Sequence, residues 1–311
     1  MKRTSIFAAI IVAGCMNLSL HAQDETTETR NAGLAFLKVG VGARAVGMGE
    51  SGVTLSRHGN SMFYNPAIIA REAGSSITIM HNERYEDVTA NYLAATARLG
   101  SMAIGVHVNF SSVGEIEVRN TPGPAEGTTS GDDLSAGITA ALPFGENLEV
   151  GASVKYLFTK IYTTSADGYA FDLGVRYRPL VSEDGRGLQF GAAVSNLGSM
   201  SEFQLESPTL PVGIRAGAGY SMPLEITKGT LSLVAENMYY TKDEKNHLHT
   251  GAEVSYKENL FLRLGYVTGF DIRALTFGLG ASYSIFMFDF AYVPGKNEFG
   301  STSTISLTLL L

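Results

Sequence analysis

The feature that most constrains the fold is an alternation of apolar and polar residues that recurs along most of the chain. In the run VGIRAGAGYSM (212–222), every second residue, such as Val212 and Ile214, is apolar, and the residues between them are glycine, serine or arginine. Successive side chains of a strand point to opposite faces, so this pattern predicts strands with one apolar and one polar face. Runs of this kind, separated by Gly, Pro, Asn or Asp, predict fourteen strands: 75–81, 87–98, 101–111, 134–142, 147–160, 167–178, 188–197, 212–222, 229–240, 247–256, 259–267, 273–284, 286–293 and 303–311.

The faces of these strands favour a membrane barrel over a soluble sandwich. A sandwich would bury the large residues and expose the polar ones, whereas here the second face is glycine, serine and charge, which suits a wet or plugged lumen. An even strand number returns both ends of a bacterial barrel to the periplasm. We therefore expect an all-β fold, a transmembrane antiparallel β-barrel of about 14 strands over residues 75–311.

Charged side chains on the polar face are candidate functional residues. The pattern directs inward Asp172, Arg176, Arg215, Glu253, Arg263 and Asp289. Ion pairs that hold a plug in the lumen are the preferred interpretation, and a substrate path is the alternative. His247 and His249 also share this face, but no third ligand accompanies them, so we expect lumen lining and no metal.

The N-terminal 22 residues are typical of a secretory signal peptide, with Lys2 and Arg3, an apolar core and a cleavage site after Ala22. Cys15 in VAGC also resembles a lipobox, which leaves lipidation at Cys15 as an alternative to cleavage after Ala22. Either route places the protein outside the cytoplasm, and a barrel places it in the outer membrane. The excess of 30 acidic over 23 basic residues disfavours nucleic-acid binding.

The stretch GMGESG (47–52) matches the glycine pattern of dinucleotide-binding turns. Such a turn needs a buried strand before it and a helix after it. Gly40 and Gly42 interrupt the run before it, and Gly59 and Pro66 follow too early for a helix of three turns. The motif is therefore not expected to bind a nucleotide, and we expect no cofactor.

Residues 31–70 resemble the opening of the PorV/PorQ family, through FLKVGVGARAVGMG (36–49) and YNPA (64–67). This family consists of outer-membrane barrels that are similar to the fatty-acid channel FadL and serve the type IX secretion system of Bacteroidetes. The resemblance implies that residues 23–74 are an N-terminal extension and plug, in which glycines allow close packing inside a wide barrel. The plug motif comprises Phe36, Gly40, Gly42, Arg44, Gly47, Gly49, Asn65 and Pro66, the last two as a turn into the first strand.

The resemblance also implies a non-enzymatic function, and no G-x-S-x-G motif or equivalent catalytic set contradicts this. One interpretation is a secretion component that binds the C-terminal signal domains of cargo or anchors a surface attachment-complex protein. The alternative is a FadL-like passive channel for hydrophobic small molecules. For partner binding we expect the two longest connections, 112–133 and 198–211, with apolar contacts at Val113, Ile116, Phe203 and Leu205.

Overall fold

The computed structural model describes residues 34–84, 88–119, 123, 125, 127–182, 186–203, 207–270, 273–295 and 300–311. The expected signal peptide with Cys15, the first part of the expected plug region and Leu205 lie outside these residues.

Fourteen strands follow one another along the chain. They are β1 (Ser76–Glu83), β2 (Val88–Leu99), β3 (Met102–Val118), β4 (Gly127–Phe144), β5 (Leu148–Ile161), β6 (Thr164–Val181), β7 (Gly187–Met200), β8 (Gly213–Leu224), β9 (Gly229–Tyr240), β10 (Lys245–Tyr256), β11 (Leu260–Val267), β12 (Leu275–Tyr283), β13 (Phe286–Val293) and β14 (Thr302–Leu310). Each strand pairs antiparallel with its neighbours in sequence, and β1 pairs with β14 from Ser76↔Leu310 to Glu83↔Ser303. The expected fourteen-strand antiparallel barrel is confirmed, and it is closed.

The two ends of the barrel differ in the length of their connections. The end that holds Ser76 and Leu310 is the terminal end, and its connections are short turns, such as 257–259 between β10 and β11. The opposite end is the loop end, and it carries the longer connections, including 201–212 between β7 and β8.

The alternation of the sequence separates the two faces of the wall. On β12, Leu275, Phe277 and Leu279 are exposed on the outside, whereas Thr276 between them is buried inside. Large apolar side chains on the outer face are stable only against lipid, because each would cost free energy in water.

The connection expected at 112–133 is wrong in extent, because β3 continues to Val118 and β4 begins at Gly127. Val113 and Ile116 therefore lie in β3 rather than in a loop. The β-branched residues of this stretch favour extended backbone, and the glycine and prolines of TPGP (121–124) come only after Val118.

Residues before β1 form only short helical pieces. They are α1 (Ala43–Gly47), α2 (Ser61–Tyr64) and 3₁₀ turns at Ala35–Lys38, His58–Asn60 and Pro66–Arg71. No long helix follows GMGESG, and all strand pairs are antiparallel, so the geometry of a dinucleotide turn is absent from the described residues. No helix in the described part of the chain is long and apolar enough to cross a membrane.

Candidate functional site: the plugged lumen

Residues 34–74, here called the plug segment, run through the lumen from one end of the barrel to the other. At the loop end, Lys38 forms an ion pair with Asp243 in the β9–β10 connection. At the terminal end, Arg71 forms an ion pair with Glu149 of β5, with 3.1 Å between Arg71 Nε and Glu149 Oε1. The plug segment is thus held at both ends by charges on the wall.

The glycines of the plug segment lie where the backbone touches the wall. A Cβ on Gly47 would lie 2.8 Å from Gly278 Cα of β12, and one on Gly49 would lie 2.6 Å from Thr250 O of β10. Gly49 also has a φ of 71°, a conformation that L side chains rarely adopt. Any larger residue at these two positions would push the plug segment away from the strands.

The other two motif glycines make room within the plug segment itself. A Cβ on Gly40 would lie 2.7 Å from the Glu50 side chain, and one on Gly42 would lie 2.6 Å from the Asn60 side chain. Gly42 also has a positive φ, of 82°. These glycines therefore allow the plug segment to fold back on itself.

Arg44 of the plug segment joins an ion-pair network with β10, β11 and β13. Its Nη2 lies 2.8 Å from Glu253 Oε1, and Arg263 Nε lies 2.5 Å from Glu253 Oε2. Arg263 Nη1 continues to Asp289 Oδ1 at 2.7 Å. Because every member is buried, each charge requires its partner. This network fixes α1 against the wall.

A second network surrounds Glu50, the fourth residue of GMGESG. Arg273, in the β11–β12 connection, binds Glu50 through both of its terminal nitrogens. Burial alone would raise the pKa of Glu50, but Arg273 holds this pKa at about 2. Arg215 of β8 donates to the Glu50 carbonyl oxygen at 3.1 Å and pairs with Glu236 of β9. Glu50 therefore supplies a negative charge that pairs with Arg273, and GMGESG does not serve as a phosphate-binding turn.

A third network lies near the terminal end around Glu149. Besides Arg71, this carboxylate pairs with Arg176 and with Arg178, whose Nε lies 2.8 Å from Glu149 Oε1. Arg176 Nη2 also donates to Ile68 O of the plug segment at 3.2 Å. Glu149 thereby connects the last helical turn of the plug segment to β6.

Asp172 of β6 forms a fourth set of contacts, with residues of the neighbouring strands β5 and β7. Its Oδ1 is 2.7 Å from Lys155 Nζ of β5 and accepts a hydrogen bond from Asn196 N at 2.8 Å. Asn196 has a φ of 63° and lies where the register of β6 and β7 shifts. Asp172 therefore stabilises a bulge in β7 rather than the plug segment.

The structure thus places all six expected lumen charges inside the barrel and brings each together with an oppositely charged partner. The partners that sequence reasoning did not single out are Glu149, Lys155 and Glu236. The alternation would have found all three, because each stands at an inward position of its strand.

Asn65 and Pro66 do not form a turn into β1. Asn65 Oδ1 accepts from Ala67 N at 3.0 Å and Pro66 is the first residue of the 3₁₀ turn Pro66–Arg71, so the pair begins a helical turn. Asn65 Nδ2 donates to Val53 O and to Val175 O of β6. The pair thus anchors the plug segment to the wall, and β1 begins only at Ser76.

His247 and His249 both lie on the inner face of β10 and are buried. The His247 ring stacks on Phe270 with centroids 4.1 Å apart, and His249 Nδ1 is 2.6 Å from Gly49 O. No group of three or more His, Cys, Asp or Glu in the described part of the chain could hold a metal ion.

An apolar cluster closes the lumen at the loop end. It contains Leu34, Phe36 and Leu37 of the plug segment, together with Leu157, Ala166, Ala170, Met200 and Leu210 from the wall and the β7–β8 connection. Phe203, which is partly buried, packs against it. We call these residues the loop-end cluster. Of the expected partner-binding residues, Phe203 contacts this cluster, Val113 and Ile116 lie in β3, and Leu205 lies outside the described residues.

Two small cavities remain beside the plug segment. The inner cavity, of about 20 Å³, lies beside Leu37 and is lined by polar and apolar residues of the plug segment and of β2 to β9. The outer cavity, of similar size, lies at the loop end near Asn82 and Glu50. Each has room for one or two water molecules, compared with about 150 Å³ for a cavity that binds benzene.

Comparison with known proteins gives a fold but no family. No protein-family model matches the chain, and no curated protein matches it. The solved structure of the CymD monoaromatic hydrocarbon channel is similar, with a TM-score of 0.63, 15% identity and coverage of 88% of this chain and 98% of CymD. The toluene transporter TodX of P. putida has a TM-score of 0.61, 13% identity and coverage of 88% and 99%.

Both similar proteins are transport proteins rather than enzymes. At this level of identity the likeness concerns the fold alone, and the resemblance of residues 31–70 to the PorV/PorQ family stays a hypothesis. The chain forms a closed fourteen-strand antiparallel barrel and shares its fold with these two channels.

Proposed function

We propose that this protein is an outer-membrane channel for the passive uptake of hydrophobic small molecules, held in a closed state by the plug segment. The observation that supports this proposal is the loop-end cluster. It brings apolar side chains of the plug segment, the wall and the β7–β8 connection together at the end of the barrel that would face outward.

Beside the loop-end cluster, the backbone pairing between β7 and β8 ends before β7 does. β7 pairs with β8 only as far as Ser195↔Gly213, so residues 196–200 of β7 have no β8 partner. Leu210, which follows in the β7–β8 connection, is buried in the cluster instead of extending the sheet. A hydrophobic molecule could therefore replace Leu210 without breaking any ladder of backbone hydrogen bonds.

Passage beyond the cluster requires movement of the plug segment. The inner cavity is too small for an aromatic ring, and the ion-pair networks of Arg44, Glu50 and Arg71 hold the segment in place. In the proposed channel, this arrangement would be the closed state.

Uptake by intact Gram-negative cells tests the channel, because their outer leaflet slows apolar molecules that cross a phospholipid bilayer readily. Cells that produce the protein should accumulate labelled toluene faster than cells with an empty vector. Leu210→Asp should reduce this gain, since a carboxylate in the cluster opposes apolar ligands. Leu180→Asp is the matched control, because Leu180 is exposed at the terminal end. Accumulation equal to the empty vector would rule out the channel.

A second candidate function, the binding of a secreted or surface protein, is favoured by the β3–β4 hairpin. β3 pairs with β2 only to Val113, and β4 pairs with β5 only from Gly131. Among the described residues, 116–118 pair with 127–129 and with no other strand, so this part of the hairpin presents backbone edges at the loop end. Such edges bind extended segments of other proteins.

Shortening the hairpin tests this second candidate. A variant that lacks residues 115–128 should lose its protein partners in pull-downs from native membranes, while toluene uptake stays unchanged. Retention of every partner would exclude the hairpin as the binding surface.

A further inference from the structure

The inner cavity contains two buried polar atoms without a hydrogen-bond partner. They are His107 Nδ1 and Asn109 Oδ1, on side chains that point inward from β3 and line the cavity. His107 is 6% exposed and Asn109 is 4% exposed, so bulk water does not satisfy them. Buried polar atoms of folded proteins are nearly always paired, so this cavity is suited to an occupant that forms hydrogen bonds.

The ring of His107 is held in place. Its imidazole stacks on Tyr92 with centroids 5.8 Å apart, and Tyr92 OH donates to Gly59 O of the plug segment at 3.0 Å. On the other side, Gly137 of β4 leaves space that a Cβ would fill, at 2.5 Å from His107 Cε1. These contacts hold the His107 ring in one position beside the cavity.

The two cations that line the cavity already have acidic partners. Lys155 Nζ lies 2.7 Å from Asp172 Oδ1 and 2.5 Å from Asn196 Oδ1. Arg215 pairs with Glu236 and donates to Glu50 O. No positive charge is left to balance an anion, and a carboxylate head group would bury an uncompensated charge. The occupant is therefore uncharged.

Leu37 connects this cavity to the loop-end cluster, because its side chain belongs to both. The cavity has room for a hydroxyl group but not for a ring. An occupant with an apolar body would therefore lie among the cluster residues, after displacement of Leu37, and extend only its polar atom toward Asn109.

We propose that the lumen binds uncharged hydroxyl-bearing apolar molecules, such as phenols and alcohols, with the hydroxyl group between His107 and Asn109 and the apolar body in the loop-end cluster. This inference rests on the proposed function, since it names the ligand class of the same channel. The ligand hydroxyl donates to Asn109 Oδ1, and its oxygen accepts from His107 when Nδ1 carries the proton.

Three probes with the same ring test the proposal: 4-fluorophenol, fluorobenzene and 4-fluorobenzoate. Their binding to the full chain in detergent is measured by ¹⁹F NMR titration, with detergent alone as the reference. We expect 4-fluorophenol to bind most tightly. Asn109→Leu should weaken 4-fluorophenol about three- to tenfold, the range of one hydrogen bond, and change fluorobenzene less than about twofold.

The matched control is Asn82→Leu. Asn82 is another buried asparagine of the wall with an unpartnered Oδ1, but it lines the outer cavity. This variant should bind all three probes as the wild type does. Migration of the folded barrel on gels without heating checks that each variant folds. If Asn109→Leu fails to fold, His107→Phe takes its place, because it keeps a ring beside Tyr92 and removes Nδ1.

Equal binding of 4-fluorophenol and fluorobenzene, tighter binding of 4-fluorobenzoate, no binding of any probe, or an equal effect of Asn82→Leu would each overturn the hydroxyl site. Toluene uptake does not depend on a hydroxyl group. Loss of the hydroxyl preference with intact toluene uptake would therefore reject this inference alone, whereas absent uptake would reject the channel itself.

Discussion

Arg263 illustrates what the lumen requires of a single residue. Its side chain is 1% exposed and lies between the carboxylates of Glu253 and Asp289. Removing these three charges from water costs free energy. Their mutual attraction roughly offsets that cost only while all three charges are present. The arginine therefore defines the position of its partners more than it adds net stability.

Arg263→Leu should consequently destabilise the barrel. Two buried carboxylates would lose a shared partner, and breaking a buried pair costs about 3–5 kcal/mol. The free energy of unfolding in urea, measured in lipid vesicles, reports this loss. Lys242→Leu, in the exposed β9–β10 turn, should change it by less than about 0.5 kcal/mol. Equal stability of the two variants would contradict the pairing.

Glu72, near the end of the plug segment, should make plug docking depend on pH. Burial raises its pKa from an ordinary value of 4.5 to about 7, although a hydrogen bond from His58 N and the charge of Arg176 act to lower it. A raised carboxyl pKa favours the protonated form in the folded state. The contribution of Glu72 is therefore fully present below pH 4.5 and is lost as the pH rises through 7.

The contribution of His58 to stability depends on pH in the opposite sense, because burial and then the charge of Arg57 lower its pKa to about 4. Comparing the stability of the wild type with that of a Glu72 variant at each pH separates the contribution of Glu72 from that of His58. Relative to Glu72→Gln, the wild type should lose stability as the pH rises from 4.5 to 7, whereas Glu146→Gln, in an exposed turn, should follow the wild type. Parallel curves for the wild type and Glu72→Gln would contradict the prediction.

At the scale of elements, the plug segment is built from short turns because its backbone must follow the wall. Its longest helical pieces are the six residues Pro66–Arg71 and the five residues Ala43–Gly47. Isolated helices of this length are unstable in water, so tertiary contacts hold them. Glycines at the contact points allow those contacts to be close.

Gly49→Ala should loosen the plug segment. The new methyl group would clash with Thr250 O, and the φ of 71° would be strained. Gly100→Ala is the matched control, because Gly100 has a φ of 60° but no atom within 4 Å of the place that its new methyl group would take. Both variants bear the backbone cost of about 1 kcal/mol, and only Gly49→Ala adds the clash. Ion conductance in planar bilayers should rise for Gly49→Ala alone, and equal conductance would contradict close packing there.

At the scale of the whole molecule, the barrel is apolar outside and polar inside. Leu262 and Leu279 are 64% and 57% exposed on the outer face, whereas serine, threonine and ion pairs cover much of the lumen. This arrangement suits an apolar surrounding such as a bilayer, where lipid covers the apolar band.

Arginine substitutions on the outer face can show how far the apolar band extends along the barrel. Leu279→Arg, in the middle of β12, should cost about 2–4 kcal/mol in lipid vesicles, because the charge would enter the hydrocarbon region. Tyr283→Arg, at the terminal end of the same face, should cost only about 0–1 kcal/mol. Similar costs at the two positions would show that the outer face is not buried in lipid.

The sequence alone was sufficient for the strand number, the antiparallel barrel and the face on which each residue lies. The physical reason is that alternation is local, because each strand must present every second residue to lipid. The same local rule placed Arg263 and Asp289 inside. It underestimated β3 and β4, since beyond the membrane both faces meet water and the apolar alternation fades.

Only the tertiary structure decided which charges meet and where the plug segment lies. Arg44 and Glu253 are 209 residues apart, and their contact depends on the path of the plug segment through a closed barrel. No local pattern encodes that path, because it results from the register of fourteen strands and from the glycines that allow close approach. The inner cavity and its unpartnered atoms follow from the same packing, since a cavity exists only where several elements fail to fill the space between them.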